Sequence, residues 1–460
     1  GRSAAGARAA ASHTGALASS DTFVDALFRQ AGVIRTHTIE EMFDVARLLV
    51  DQPVPDGRRV AILTNAGGPG ILAADACEAD GLHVPRLSEA SAAALRAILV
   101  REASVHNPVD MVAGATPEQY ERALDILLAD PDIDAVLVIF IPPLITRAED
   151  VARAVKRARE ARPSKPVLAI FMPSVSAQAW LRPIPCFSFP EAAAVALARA
   201  TAYGEWLRTP GSPPPDFDDI DTPAIRTIID HALARGGGWL DPLEAQALVA
   251  AAGIVPARGE MATSEAAAVE AATRLGFPVV LKGAGPDVIH KTELKAVITG
   301  LRSAEAVGRA WQDLEARLGD RMTGALVQEM VRGGVEMLVG AVEDSTFGPV
   351  IACATGGTLA EVMADSQFRL HPLGPEDAAD MIRQLRGSAL LDGYRGTAPA
   401  DKGALVDALL RLSALMGLCP EIAELDINPL SVLPQGVRAL DARVRIGVAE
   451  GRPASRRVRY

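Results

Sequence analysis

The sequence has no run of about 18 apolar residues of the kind that crosses a bilayer. Its opening stretch, GRSAAGARAAAS, lacks the long apolar core of a secretory signal. A membrane partner is therefore excluded and a cytoplasmic location expected. Cysteine is scarce: Cys77, Cys186, Cys353 and Cys419 lie far apart, with no CxxC spacing and no close histidine partner of the kind a zinc site uses. That pattern argues against a disulfide frame or a zinc site and for buried free thiols in a reducing setting. Basic residues are outnumbered, 46 Lys and Arg against 57 Asp and Glu, for a net charge of −11. Without a lysine or arginine run there is no stripe to follow a phosphate backbone, so nucleic acid is excluded as a partner.

What is present is length and alternation. A chain of 460 residues exceeds one ordinary core, so two or three domains are expected. DTFVDALFRQAG predicts a short helix ending near Gly32. HTIEEMFDVARLLV predicts another, with Thr38 and Glu41 as a capping box ahead of Ile39, Met42, Phe43, Ala46 and Leu49. The only strand candidate before residue 55 is GVIRT, so residues 1–52 read as the tail of a domain. The chain also starts at Gly1 rather than methionine, and the expectation is a cut through a larger protein.

From residue 56, GRRVAILTNAGGPGILAADACEADG reads as strand, glycine turn and helix, and IDAVLVIFIPPL and KPVLAIFMPS repeat the alternation. This predicts a doubly wound α/β domain over 56–208. TPGSPPPDFDD breaks the pattern, because its prolines continue neither a helix nor a central strand, and residues 209–219 read as a linker. Beyond it, over 220–450, helices alternate with strands at FPVVLKG, AVITGL, GALVQEMV, VEMLVGAVED and PVIACAT, whose succession predicts an antiparallel sheet.

Three sets of residues carry candidate chemistry. In NAGGPG, Gly67, Gly68 and Gly70 sit where a strand passes into a helix, so backbone N–H groups and the positive helix end could meet an anion; a tight turn that binds nothing fits the same letters. In ASHTGALASSD, His13 stands among residues too small to hide it. An imidazole near its unperturbed pKa is a competent nucleophile at pH 7, so a phosphoryl carrier could look like this, as could a surface histidine. In the last domain, Lys282 of VVLKG is placed to meet a nucleotide phosphate, while ELDINPL and LDARV supply Asp426, Asn428 and Asp441. Oxygen ligands on adjacent strands suit Mg²⁺ shared with substrate phosphates; ordinary strand-end polarity is the alternative.

Taken in order, SHTGALASSD, ILTNAGGPGILAADACEADGL, NPVDM, VVLKGAGPDVIHKTELKAV, GVEMLVGAVEDSTFGPVIACATGGTLAEV and AELDINPL followed by DARV resemble the NDP-forming acyl-CoA synthetases, relatives of succinyl-CoA synthetase. The resemblance runs through nearly the whole chain. It implies an α/β multidomain fold: part of a phosphohistidine domain at 1–52, a flavodoxin-like CoA-ligase domain, and a C-terminal ATP-grasp domain. It implies that His13 is phosphorylated and carries phosphate between an acyl-phosphate site and the nucleotide site, with His290 of IHK as a second acceptor. It assigns NAGGPG as a helix start that steadies the phosphohistidine loop. It places Lys282 on nucleotide phosphate, Glu329 at the adenine end, Glu336 near the ribose, and Asn428 and Asp441 on Mg²⁺, with Asp426 in support. Lys295 and Ala296 stand where the family commonly has glycines.

The activity implied is reversible conversion of acyl-CoA, ADP and phosphate to carboxylic acid, CoA and ATP. ATP/ADP or GTP/GDP, Mg²⁺ and CoA follow as cofactors and substrates. The family's CoA-binding domain is expected upstream of Gly1, as part of a longer chain or as a subunit, and an oligomer is expected. Two other readings of the residues stand beside this one. The first is an ATP-grasp carboxylate ligase without phosphohistidine. The second is a non-catalytic nucleotide-binding scaffold.

Overall fold

Uninterrupted apolar runs in the first half of the chain become the strands of a parallel sheet. β1 (Val60–Thr64), β2 (Val109–Asp110), β3 (Ala135–Phe140), β4 (Val167–Phe171) and β5 (Cys186–Phe187) lie in the order β2-β1-β3-β4-β5, each parallel to its neighbours. β1, β3 and β4 are buried along their whole length because helices cover both faces. Alternate strand residues point to opposite sides: Ala61, Leu63, Val136 and Val138 meet the helices Pro117–Ala129 and Ala148–Ala161. Val60, Ile62, Leu137 and Ile139 meet Ile39–Asp51, Gly67–Ala79 and Pro190–Arg208. The strand order is that of flavodoxin-type doubly wound sheets.

The structure is a computed structural model and describes residues 21–143, 146–172, 175–209, 211–285, 288, 294–356 and 365–447. The chain divides into two compact units, residues 31–210 and residues 1–30 with 211–460.

Residues 31–52 pack with the parallel sheet, and residues 21–30 belong to the other unit. GVIRT forms no strand. Gly32 takes φ +67 and lies against the Trp206 ring, where a Cβ would come within 2.5 Å, so the chain passes here as a turn over an aromatic face. The helix Ile39–Asp51 is capped by Thr38, whose hydroxyl accepts the Glu41 N–H at 3.0 Å, while the Glu41 carboxylate reaches the N–H of His37 rather than that of Thr38. It buries Val45 and Leu48 and leaves Ile39, Met42, Phe43 and Ala46 exposed, the reverse of the face its periodicity predicts.

The second unit holds two antiparallel sheets. β6 (Gly238–Trp239) belongs to the larger one. β7 (Gly259–Ala262), β8 (Val279–Ala284), β9 (Val297–Leu301) and β10 (Gly324–Glu329) form the smaller, in the order β7-β10-β8-β9. One face of it packs on the helices Glu265–Leu275 and Ala304–Leu318. β11 (Val335–Asp344), β12 (Gly348–Thr355), β13 (Ser366–Leu370), β14 (Ile422–Val432), β15 (Val437–Ala439) and β16 (Ala442–Ile446) complete the larger sheet. Its order is β13-β12-β11-β14-β16-β6, with β15 paired to β14. Its core face meets the helices Thr222–Ala234, Pro242–Ala251, Pro375–Arg383 and Lys402–Leu418.

The proline-rich stretch is packed rather than free. Phe217 and Ile220 lean on the larger core. Arg411 lies 4.5 Å from the centre of the Phe217 ring and donates to both Asp219 oxygens, at 3.1 and 2.9 Å. All four cysteines are free and buried, and burial pushes the Cys77 and Cys353 thiols up to about 12. Among the described residues no helix is long and apolar enough to cross a membrane.

Candidate functional site

In the parallel unit the polar chemistry begins where β1 ends. The Thr64 hydroxyl folds back on residue 66, accepting its N–H at 3.0 Å and donating to its carbonyl at 2.9 Å. Asn65, 3% exposed, exchanges two hydrogen bonds with the main chain of Ile141, at 2.8 and 2.9 Å, tying the end of β1 to the end of β3. These bonds fix the start of the helix Gly67–Ala79, whose N-cap, Ala66, supplies no side-chain acceptor. Its first N–H groups and the positive helix end are thus left for an acceptor from elsewhere.

The three glycines differ. A Cβ on Gly70 would stand 3.0 Å from the Thr64 methyl, and one on Gly67 would stand 3.0 Å from the Asp110 carboxylate. One on Gly68 would meet nothing within 4 Å, so the open approach to the helix start is at Gly68. NPVDM, to which the sequence reading gave no roles, supports this corner. Asn107 accepts from Ile62 N–H and donates to the carbonyls of Val60 and Pro85. Asp110 accepts the N–H of Val112, which takes φ +62, an uncommon conformation for a β-branched residue.

In the second unit Lys282, Glu336, Asp426 and Asn428 lie on the sheet faces that turn away from the helices, and Glu329 does not. Val279 and Leu281 of β8 pack on the helical core, so the alternation sends Lys282 to the other side. Lys282 lies within β8, opposite Leu326 of β10, rather than at the strand's end. It is 7% exposed, and its ammonium donates to the Leu440 carbonyl at 2.6 Å. The next residue is Asp441, 8% exposed, whose own carbonyl accepts the Asn428 N–H at 3.2 Å. Two main-chain acceptors therefore bring Lys282, Asn428 and Asp441 to one place. Asn428 is exposed.

Asp426 joins them electrostatically. It sits on β14 between Gly340 of β11 and Arg443 of β16. Burial raises its carboxyl to about 6; the Arg443 guanidinium opposes this, and the charges of Asp441 and Glu424 add to it.

Glu329 and Glu336 are placed differently. Glu329 ends β10 three residues beyond Leu326, so it points to the opposite side of the strand from Lys282. Its carboxylate accepts the N–H of Arg258 at 3.0 Å and ion-pairs with the guanidinium at 2.7 Å. Burial pushes this carboxyl up, but the Arg258 N–H and guanidinium outweigh it and hold it below its ordinary value. Arg258 was missed in the sequence, where nothing marks a pair 71 residues apart. Glu336 is exposed on β11 opposite Ser431, and its carbonyl accepts the Gly356 N–H at 2.8 Å. A Cβ on Gly356 would lie 2.7 Å from that carbonyl, so only glycine fits the start of GGTLAEV. His13 and His290 lie outside the described residues.

The donor set fits Mg²⁺. A carboxylate and an amide oxygen are hard ligands, and a cation shared with phosphates needs only one or two from the protein. Among the described residues no group of three or more His, Cys, Asp and Glu side chains could hold a metal by itself.

Family models match three stretches: a succinyl-CoA ligase-like flavodoxin domain over 1–49, a Ligase-CoA domain over 60–210 and an ATP-grasp domain over 231–446. The acetate–CoA ligase (ADP-forming) I of Archaeoglobus fulgidus is 35% identical over 457 residues, covering 97% of this chain. The chain spans 65% of that protein's length. The beta subunit of acetate–CoA ligase (ADP-forming) II of Pyrococcus furiosus is 32% identical over 225 residues, 47% of this chain and 95% of the subunit. The solved dinucleotide-forming acetyl-coenzyme A synthetase 1 of Ca. Korarchaeum cryptofilum, in complex with coenzyme A and Ca-AMPCP, is 35% identical. That match covers 48% of this chain and 99% of that one, with a TM-score of 0.47.

Proposed function

This chain belongs to the NDP-forming acyl-CoA synthetase family, that of the ADP-forming acetate–CoA ligases, and from that premise we propose that it carries the phosphoryl-transfer part of their reversible reaction. Acyl-CoA, ADP and phosphate become carboxylic acid, CoA and ATP through an acyl phosphate and phosphohistidine. His13 is the carrier and His290 the acceptor on the nucleotide side.

The observation that carries this reading is the joining of Lys282 to Leu440 and of Asn428 to Asp441. It brings the Lys282 ammonium to the same stretch of main chain as Asn428 and Asp441, which supports reading the three as phosphate-binding and metal-binding residues of a nucleotide site. Lys282 binds phosphate oxygens, and Asn428 and Asp441 hold Mg²⁺, with Asp426 behind them. The metal, when bound, neutralises charge on the transferred phosphoryl group. Glu336 faces the ribose. Glu329 acts at the adenine end through Arg258 and the main chain. In the other unit, Gly67, Gly68 and Gly70 open the helix that receives the phosphohistidine. The base is that of ATP/ADP or GTP/GDP.

The chain spans 65% of the length of the Archaeoglobus relative. The reading includes a CoA-binding domain or subunit as the partner for the CoA chemistry, in an oligomer. A division of labour between chains has a precedent in the Pyrococcus alpha and beta subunits. The test is incubation with γ-phosphate-labelled ATP and Mg²⁺, scoring acid-labile, alkali-stable phosphate in the wild type, His13→Ala and His290→Ala. Label on the wild type that is lost from either variant is expected. A wild type that binds nucleotide and takes no histidine-bound label overturns the relay.

A further inference from the structure

The helix Asp21–Gln30 buries only Ala26, too little apolar surface to hold a helix of ten residues by itself. It is held instead by directional contacts to β13, which ends the strand order of the larger sheet and so presents an edge. The Gln30 amide takes both main-chain groups of one edge residue. It accepts the Leu370 N–H at 2.7 Å and donates to the Leu370 carbonyl at 3.0 Å, the exchange that a neighbouring strand would make. One turn and more upstream, the Phe23 ring lies 5.8 Å from that of Phe368. Arg29 donates to the Gln384 side chain at 2.9 Å.

The receiving surface is fixed from behind. Gln384 donates to Asp380 at 2.6 Å. Asp380 also pairs at 2.5 Å with Arg369, a guanidinium residue only 2% exposed. Arg369 donates in turn to the carbonyl of Phe368. An arginine buried in an edge strand, and satisfied by the residues that meet the docked helix, makes a built socket rather than a chance contact.

The sequence gives this socket a use. His13 precedes Asp21 by eight residues, so it can reach at most about 29 Å from the helix. β13 is itself the strand that follows GGTLAEVMAD, whose first glycine, Gly356, is bonded to Glu336 on the nucleotide-facing sheet. We propose that Gln30, with Arg29 and Phe23, latches this helix to the edge of β13 and thereby positions His13 for transfer from the nucleotide. This rests on the relay reading above. In that transfer the lone pair of a neutral His13 nitrogen forms a bond to the phosphorus that His290 has taken from ATP. The P–N bond to His290 breaks, its electrons return to that imidazole, and the other ring nitrogen of His13 keeps its proton. The three latch residues touch neither reactant. They act by raising the effective concentration of His13, which lowers the barrier to transfer without changing nucleotide affinity.

The test uses this chain with Gln30→Ala, Arg29→Ala and the conservative Arg29→Lys, which keeps a donor to Gln384. Three quantities are read: nucleotide Kd, the rate of His13 labelling at saturating Mg²⁺ and ATP, and hydrogen exchange at the Leu370 amide. Gln30→Ala should leave Kd unchanged, speed exchange at Leu370 and slow labelling about tenfold, the effect of losing hydrogen bonds of ordinary strength. Arg29→Ala should slow labelling less, and Arg29→Lys should restore it. Unchanged exchange at Leu370 in Gln30→Ala overturns the latch. Faster exchange with an unchanged labelling rate overturns its role in transfer. A wild type that takes no His13-dependent label overturns the relay reading itself, whatever the exchange shows.

Discussion

In the unit of residues 31–210 the strands β1, β3 and β4 are buried from end to end, and the candidate chemistry lies beyond them, on backbone N–H groups at the start of the helix Gly67–Ala79. In the other unit β11 and β14 alternate buried and accessible positions, and the candidate chemistry lies along them, on Glu336, Asp426 and Asn428. A sheet covered by helices on both faces has no room for polar side chains except past its strand ends. A sheet covered on one face can use the other as a binding surface. A side-chain site and a backbone site should fail differently under substitution, and three measurements turn on that difference.

The largest effect belongs to Lys282. Lys282→Ala removes the ammonium proposed to bind nucleotide phosphate and leaves the Leu440 carbonyl without this donor. ATP-driven labelling should fall by about a hundredfold or more, the loss typical when a preorganised charge is taken from a phosphoryl-transfer site. Lys282→Met preserves the packing and should lose as much. If Lys282→Met labels at the wild-type rate, the lysine is a structural clasp on residues 440–441 and the side-chain site is broken.

Next comes Asp426. Its carboxyl is raised to about 6 in the folded unit, above its value in an unfolded chain. Below pH 4 both forms are protonated and the fold has its full stability. As pH rises from about 4 to 6 the unfolded chain ionises first, so stability falls, by about 3 kcal/mol once both forms are ionised. Denaturant titrations across this range, without nucleotide, should show that decline in the wild type and lose it in Asp426→Asn. A decline of the same size in Asp426→Asn would assign it to another group and detach Asp426 from the charge cluster.

The same contrast governs what could be read from the sequence. VAILT, AVLVIF and VLAIF announce strands because nothing polar interrupts them, and their burial on both faces is the reason. Lys282, Asp426, Asn428 and Asp441 stand out as candidates for the opposite reason, as polar residues breaking into strand-forming stretches. GVIRT misled because its first residue, Gly32, turns the chain against Trp206, and the four strand-like residues after it pair with no strand. In the helix Ile39–Asp51, apolar residues stand on more than one side, so periodicity could not choose Val45 and Leu48 over Ile39, Met42 and Phe43. The Leu440 carbonyl that receives Lys282 has no side-chain signature, and the two lie 158 residues apart. Lys295 shows the reverse: it stands where the resemblance leads one to expect glycine, and it takes φ +48, the conformation glycine would adopt without cost.

The smallest effect separates two glycines of one helical turn. At Gly70 an added methyl meets the Thr64 methyl at 3.0 Å and the Pro108 ring at 3.5 Å. Thr64 cannot easily rotate away, since its hydroxyl is held by residue 66. Overpacking of this kind costs about 1–3 kcal/mol, partly offset by the better helix propensity of alanine, so Gly70→Ala should lose about 1 kcal/mol of stability. At Gly68 the same methyl enters open space, and Gly68→Ala should be neutral or gain up to about 1 kcal/mol. If the helix start receives a phosphorylated imidazole, that methyl stands in the approach, and Gly68→Ala should shorten the half-life of the phosphoprotein while the fold becomes no weaker. Stability and phosphoprotein lifetime would then move independently at Gly68 and together at Gly70. A phosphoprotein that decays at the wild-type rate in Gly68→Ala would reduce this corner to a tight turn and leave the chemistry to side chains alone.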